Sequence, residues 1–240
     1  MACICIKSPN KALVSSLTPT CANRLLRKSF RKMIIDPDSP YSLSEPDEVK
    51  RRLAMLTLPH IAPLIAHAQQ ITARLGSSYQ IPYFDPCDGG IHSEVLFLLE
   101  APGRKAIGSS FISRNNPDPS ARNMCTLLNT VGLPRTITLL WNIVPWYVGS
   151  ESRIRAVKKS DIATAIPFLK ELIDFLPNLK AIVLVGRKAQ TAKSQIIPLT
   201  SARFFESYHP SLQAMNRLPE RRAEMLNIFK HLVAFLKNGD

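Results

Sequence analysis

Two kinds of hydrophobic spacing alternate along this chain. Ile61, Leu64, Ile65, Ala68, Ile71 and Leu75 recur at helical intervals and predict a helix from His60 to Leu75, with Gly76 as its stop. A helix ahead of it is expected from a cap at Ser44 to about Leu58, where Pro59 breaks it. Val95 to Leu99, by contrast, is an unbroken apolar run, as in a parallel strand covered on both faces. Asp118-Pro119 then opens a helix to about Val131, ended by Gly132, and Ile137 to Trp141 is a second strand. Ser160-Asp161 caps a helix carrying Ile162, Ile166, Leu169, Ile173 and Leu176. Ala181 to Val185 is a third strand, turning at Gly186 into a short helix. Arg203 to Tyr208 is a fourth, and an amphipathic helix from about Pro219 to Leu236 closes the pattern.

Strands alternating with helices at this spacing predict a three-layer α/β/α fold around a central, mostly parallel four-stranded sheet. The stretch from Asp36 to Pro46, rich in Pro, Ser and Asp, reads as a linker. The expected division is an arm and linker over residues 1–43 and one α/β domain over residues 44–240. In such sheets, ligands sit beyond the carboxyl ends of the strands. Those ends carry Glu100, then Asn142, then Arg187 and Lys188, then His209. A carboxylate, a carboxamide, a basic pair and an imidazole should therefore converge on one edge.

Charge narrows the partner. The chain has 31 Lys and Arg against 18 Asp and Glu, a net +13, and the first 35 residues contain basic side chains but no acid. A basic body favours polyanions, because neutralised phosphates release counterions. The N-terminal segment is compatible with an organelle transit peptide or a basic arm. A bacterial cytoplasmic protein is expected, or an organellar or nuclear one if the segment is a transit peptide. No apolar run is long enough to span a bilayer, so no membrane partner is expected. The five Cys at 3, 5, 21, 87 and 125 form no C-x-x-C pair, which argues against a disulfide framework or a zinc site.

Leu99-Glu-Ala-Pro-Gly103 resembles the first motif of the uracil-DNA glycosylase superfamily, which in one branch reads G-E-A-P-G. Tyr208-His-Pro-Ser211 is similar to its second motif, H-P-S. Phe111 and Asn142 lie between them in the order of the family's base-stacking Phe and base-reading Asn. The resemblance covers about residues 80–235. It implies a monomeric hydrolase that removes uracil from DNA and leaves an abasic site. The target base would be flipped into a pocket formed by Ala101, Pro102 and Gly103, with Phe111 stacking on it. Asn142 would hold the base edge, since a carboxamide offers the donor and acceptor that match uracil O4 and N3–H. His209 would donate to O2 as negative charge develops on the departing base. Glu100 would place or activate the attacking water, although the best-known branch has its carboxylate one position later, where this chain has Ala101. DNA contacts are implied for Arg104, Lys105, Arg187, Lys188, Ser211 and Arg217. Leu212 or Met215 would act as an apolar wedge.

The chain also departs from the family. Leu99 replaces the first Gly, and the Cys spacing does not match the iron–sulfur branch, so no cluster, metal or other cofactor is expected. Ser113-Arg-Asn-Asn-Pro-Asp118 has no counterpart among the motifs and could reshape the pocket or change the accepted base. Asp85, Asp88 and Gly89-Gly90 either line the mouth or form a loop. Gly186 to Ser194 resembles a phosphate-binding loop but has Ala192 where the second Gly is required, which argues against nucleoside triphosphate hydrolysis. Two alternatives remain open: a glycosylase for another deaminated or mismatched base, and a non-catalytic nucleic-acid-binding module.

Overall fold

The computed structural model describes residues 36–150, 153–216 and 219–238. The chain enters through helices α1 (Pro46–Leu53) and α2 (Ala62–Leu75) and a short strand, β1 (Tyr83–Phe84). Next come β2 (Val95–Leu99), α3 (Arg104–Ser109), β3 (Phe111–Ile112), α4 (Pro119–Thr130) and β4 (Thr138–Asn142). After α5 (Lys159–Asp174) and β5 (Ala181–Val185) lie two one-turn helices, α6 (Arg187–Gln190) and α7 (Lys193–Ile196). β6 (Arg203–Ser207), α8 (Leu212–Asn216) and α9 (Pro219–Asn238) complete the order.

The long apolar runs become the central sheet, in the order β4–β2–β5–β6 with every neighbour parallel. β2, β4 and β5 are almost wholly buried, which is why their sequences show no polar alternation. Helices flank the sheet. α4 packs with α9, whose Phe229 meets Phe97 of β2 edge-on at 5.7 Å. α2 packs with α5, where Arg74 bonds Glu171 at 2.6 Å and lies over the Phe168 ring. This is the expected three-layer architecture. A small second sheet, β1 beside β3, was not legible from such short segments. It is tied to the main sheet by Phe84 stacked on Trp141, with ring centroids 3.6 Å apart.

Several boundaries shift for local reasons. Ser44 does not cap α1: its hydroxyl faces Glu45, and the helix starts at Pro46, where the fixed φ suits the first turn. The chain leaves α1 at Leu53 and turns, so that the His60 carbonyl can accept the Ile91 N–H at 2.9 Å. α5 begins ahead of Ser160, because the Asp161 carboxylate reaches back to the Lys158 N–H at 2.8 Å and also pairs with Arg155. β4 runs one residue further than the hydrophobic pattern, to Asn142 itself.

Beside β4 lies a buried ion network. Arg52, with no solvent exposure, bonds Glu48, Asp85, Ser113 and Asn115. Arg135 bonds Asp85 at 2.6 Å, Asp88 at 2.8 Å and Asp38 at 2.6 Å. The stretch read as a linker is thus strapped to the domain from Asp38 onward, and Asn115 also donates to the carbonyls of Asp38 and Ser39. Asp85 and Asp88 serve this network and do not line the mouth. The adjoining glycines are required by crowding: a Cβ on Gly89 would lie 2.3 Å from the Thr136 oxygen. Gly90 has φ +57°, and a Cβ there would lie 2.0 Å from the His60 oxygen.

Candidate active site

Beyond the carboxyl ends of β2, β4 and β6 the chain leaves a cavity of about 390 Å³. The Ala101-Pro102-Gly103 turn and the start of α3 form one wall. Leu140 and Asn142 form its floor, since residues two apart on a strand share a face. His209 enters from the loop after β6, and the segment from Ile112 to the first turn of α4 closes the remaining side.

Asn142 is the most informative group. It is 4% exposed, and its Nδ2 has no hydrogen-bond partner. A buried, unsatisfied amide donor costs roughly 1–3 kcal/mol. The strand end holds it in place: Ile143 N–H donates to the Leu99 carbonyl at 2.8 Å, and Val144 N–H to the Glu100 carbonyl at 3.1 Å. A donor kept unpaired on a cavity wall by a rigid strand is set to receive an acceptor from a ligand.

His209 is held by its neighbours. Asn123 of α4 donates to the Pro210 carbonyl at 2.9 Å, and Ser211 N–H donates to the His209 carbonyl at 2.8 Å. Gly186, at φ +87°, allows the close approach, since a Cβ there would lie 3.1 Å from His209 Cβ. Burial pushes the imidazole below its ordinary range, and the carboxylates of Glu100 and Asp118 pull it partly back. At neutral pH it is therefore a neutral ring with one N–H to donate.

Other expected residues are distributed differently. Ala101, Pro102, Gly103, Arg104 and Lys105 all line the cavity, and the two cations are exposed at its edge. Arg104 also donates to the Tyr147 hydroxyl at 3.2 Å. Phe111 is not on the cavity wall. It is fully buried in β3, and the next residue, Ile112, faces the cavity in its place, as the alternation of a strand requires. Glu100 lies outside the lining, although its charge is felt by His209. Lys188 is committed to the Val157 carbonyl at 2.9 Å, while Arg187 is exposed. Leu212 is 41% exposed but off the wall, Met215 packs partly against the core, and Ser211 sits at the entry to α8. Arg217 lies outside the described residues.

The structure adds groups that motif matching passed over. Ser113, Asn116 and Asp118 line the cavity, so the segment without a family counterpart is one of its walls. Asn116 is internally satisfied, donating to the Phe111 carbonyl and accepting from Ser109. Ile154, half exposed between Arg153 and Arg155, also borders the cavity. An apolar residue between two arginines in a loop was its only trace in the sequence.

No curated protein matches this sequence. Among solved structures, the chain is similar to the solution NMR structure of a candidate uracil DNA glycosylase from Methanosarcina acetivorans. The two share 16% identity with a TM-score of 0.42, over 59% of this chain and 91% of that one. The family model of the uracil DNA glycosylase superfamily matches residues 86–233, a span that includes β2, Asn142, His209 and every wall of the cavity. By that match the chain belongs to the uracil DNA glycosylase superfamily.

Proposed function

We propose that the protein hydrolyses the N-glycosidic bond of uracil in DNA, taking the flipped base into this cavity and leaving an abasic site. The observation that carries the reading is the unpartnered Nδ2 of Asn142 on the wall that also holds the neutral ring of His209. Uracil O4 supplies the acceptor that this donor lacks, whereas cytosine presents an amino group there and leaves it unpaired. His209 donates to O2, where charge collects as the C1′–N1 bond breaks. Arg104 and Lys105 at the cavity edge offer cations to the backbone phosphates, and Arg153 and Arg187 are further exposed cations available to them.

The decisive experiment incubates the purified protein with single-lesion DNA carrying uracil, hypoxanthine, xanthine or a mismatched thymine, followed by alkaline strand cleavage. Uracil-specific cleavage is the expected result; binding without any abasic product would refute the glycosylase reading. A shifted base preference has one observation in its favour. The expected aromatic platform is absent from the wall, which instead carries Ile112, Ser113 and Asp118.

Gly186→Ala tests how His209 is held. The added methyl meets His209 at 3.1 Å at a positive φ, so His209 must give by a few tenths of an ångström. Misplacement by about 1 Å can cost on the order of 100-fold in rate, and a smaller shift correspondingly less. Single-turnover uracil release should fall about 3- to 10-fold with the circular dichroism spectrum retained. A parental rate would show that the Gly186 approach does not set the position of the ring.

A further inference from the structure

We infer that Asp118, and not Glu100, is the carboxylate that activates the attacking water. This assignment rests on the glycosylase reading and names a catalytic residue for it. Asp118 lies on the cavity wall with His209 and Asn142, while Glu100 does not. Its backbone is fixed at the N-cap of α4, where Oδ1 accepts the Ala121 N–H at 2.9 Å and the Asp118 carbonyl accepts the Arg122 N–H at 3.1 Å. Its own N–H donates to the Asn116 carbonyl at 2.8 Å. Oδ2 has no hydrogen-bond partner among the described residues. One oxygen therefore locks the side chain, and the other is left for a ligand.

The same helix also holds the loop that carries the imidazole. Asn123, on the next turn of α4, holds the loop after β6 through the Pro210 carbonyl. Asp118 and His209 are thus mounted on one rigid unit, close enough that the carboxylate raises the imidazole's affinity for its proton against the effect of burial. Glu100 contributes to the same field, but from outside the cavity lining.

The chemistry balances with water as the only co-reactant. The C1′–N1 bond breaks and its electron pair leaves with the base, where the anion is stabilised at O2 by the His209 N–H. Water forms the new C1′–O bond, and its proton passes to Asp118 Oδ2 and from there to solvent or to the departing base. Before attack, the carboxylate offsets the positive charge on the sugar. Holding the carboxylate by a backbone N–H, and the imidazole's loop by Asn123, keeps both groups poised.

Asp118→Asn is the informative variant, because Asn caps a helix about as well as Asp and only the charge and basicity are lost. The experiment compares parent, Asp118→Asn and Glu100→Gln in single-turnover release of uracil from duplex DNA. Each protein's melting temperature and its affinity for a duplex bearing a tetrahydrofuran abasic analogue are also measured. The expected result is a fall of about 100-fold or more for Asp118→Asn, in the range of general-base catalysis. Its Tm should stay within about 3 °C and its affinity should be unchanged or tighter. Glu100→Gln should lose less than about 10-fold. A rate for Asp118→Asn within threefold of the parent overturns the assignment and leaves Asp118 as a cap alone. A larger loss in Glu100→Gln overturns it in favour of Glu100. A parent that releases no base overturns the glycosylase reading, and this assignment with it.

Discussion

Asn142→Ala should lower single-turnover release of uracil by about 100- to 1000-fold, as expected on losing a preorganised donor. The protein should stay close to its parent in stability. In the free protein Nδ2 makes no hydrogen bond, so truncation gives up packing contacts but breaks no bond of that donor. This combination separates a ligand-binding amide from a structural one. A structural Asn, such as Asn115, which carries bonds to Arg52, Arg135, Asp38 and Ser39, would lose stability when cut. His209→Ala should produce a comparable loss of rate by removing the donor to O2. Chemical denaturation and excision assays on the same preparations check both statements. Full activity in Asn142→Ala would remove the basis for assigning this cavity to the base.

The pattern of elements explains why this site was partly legible in advance. Buried parallel strands announce themselves by continuous apolar runs, and functional groups follow each run at a fixed place. Leu99, Asn142 and Ser207 end their strands as that logic requires, so the positions of Asn142 and His209 could be read before any coordinates. Phe111 could not, because its burial depends on pairing with β1, a two-residue strand with no periodicity to detect. Asp118 was visible as a helix cap, a role it does perform, and as the end of a segment that could reshape the pocket, but not as a catalytic group. That the same side chain also faces the cavity depends on the path of the Ser113–Asp118 segment. That path is set by Arg52 and Arg135, which contact it from distant parts of the chain. Long-range ion pairs leave no local signature, and Asp38 illustrates the same blindness. Its surroundings are rich in Pro and Ser and look like a linker, yet it closes on Arg114 at 2.5 Å.

The largest stability effect is expected at Arg135. Its side chain is 9% exposed and bonds three carboxylates, those of Asp38, Asp85 and Asp88. Arg135→Leu fills much of the space but leaves Asp85 and Asp88 buried without their shared cation, a loss of about 3–5 kcal/mol. The pH dependence follows from the carboxylates. Burial would raise Asp85, but Arg135 and Arg52 outweigh it and hold the group below its ordinary value. Its contribution is present above the unfolded pKa and is lost as pH falls through the folded one. Asp88 has the opposite sign. Burial raises it to about 6, with Arg135 opposing and Asp85 reinforcing the shift, so its ionisation between about 4 and 6 subtracts stability. Without Arg135 both acids resist ionisation more strongly. The deficit of Arg135→Leu should therefore be largest near neutral pH and shrink toward pH 4, and adding Asp88→Asn should recover part of it. Urea titrations at several pH values, with an unchanged m, provide the measurement. A deficit under about 1 kcal/mol at pH 7 would mean that water or relaxation screens the network. A large deficit should be accompanied by slower base release, because Arg135 also bonds Asn115, within the segment that carries Ser113 and Asp118 to the cavity.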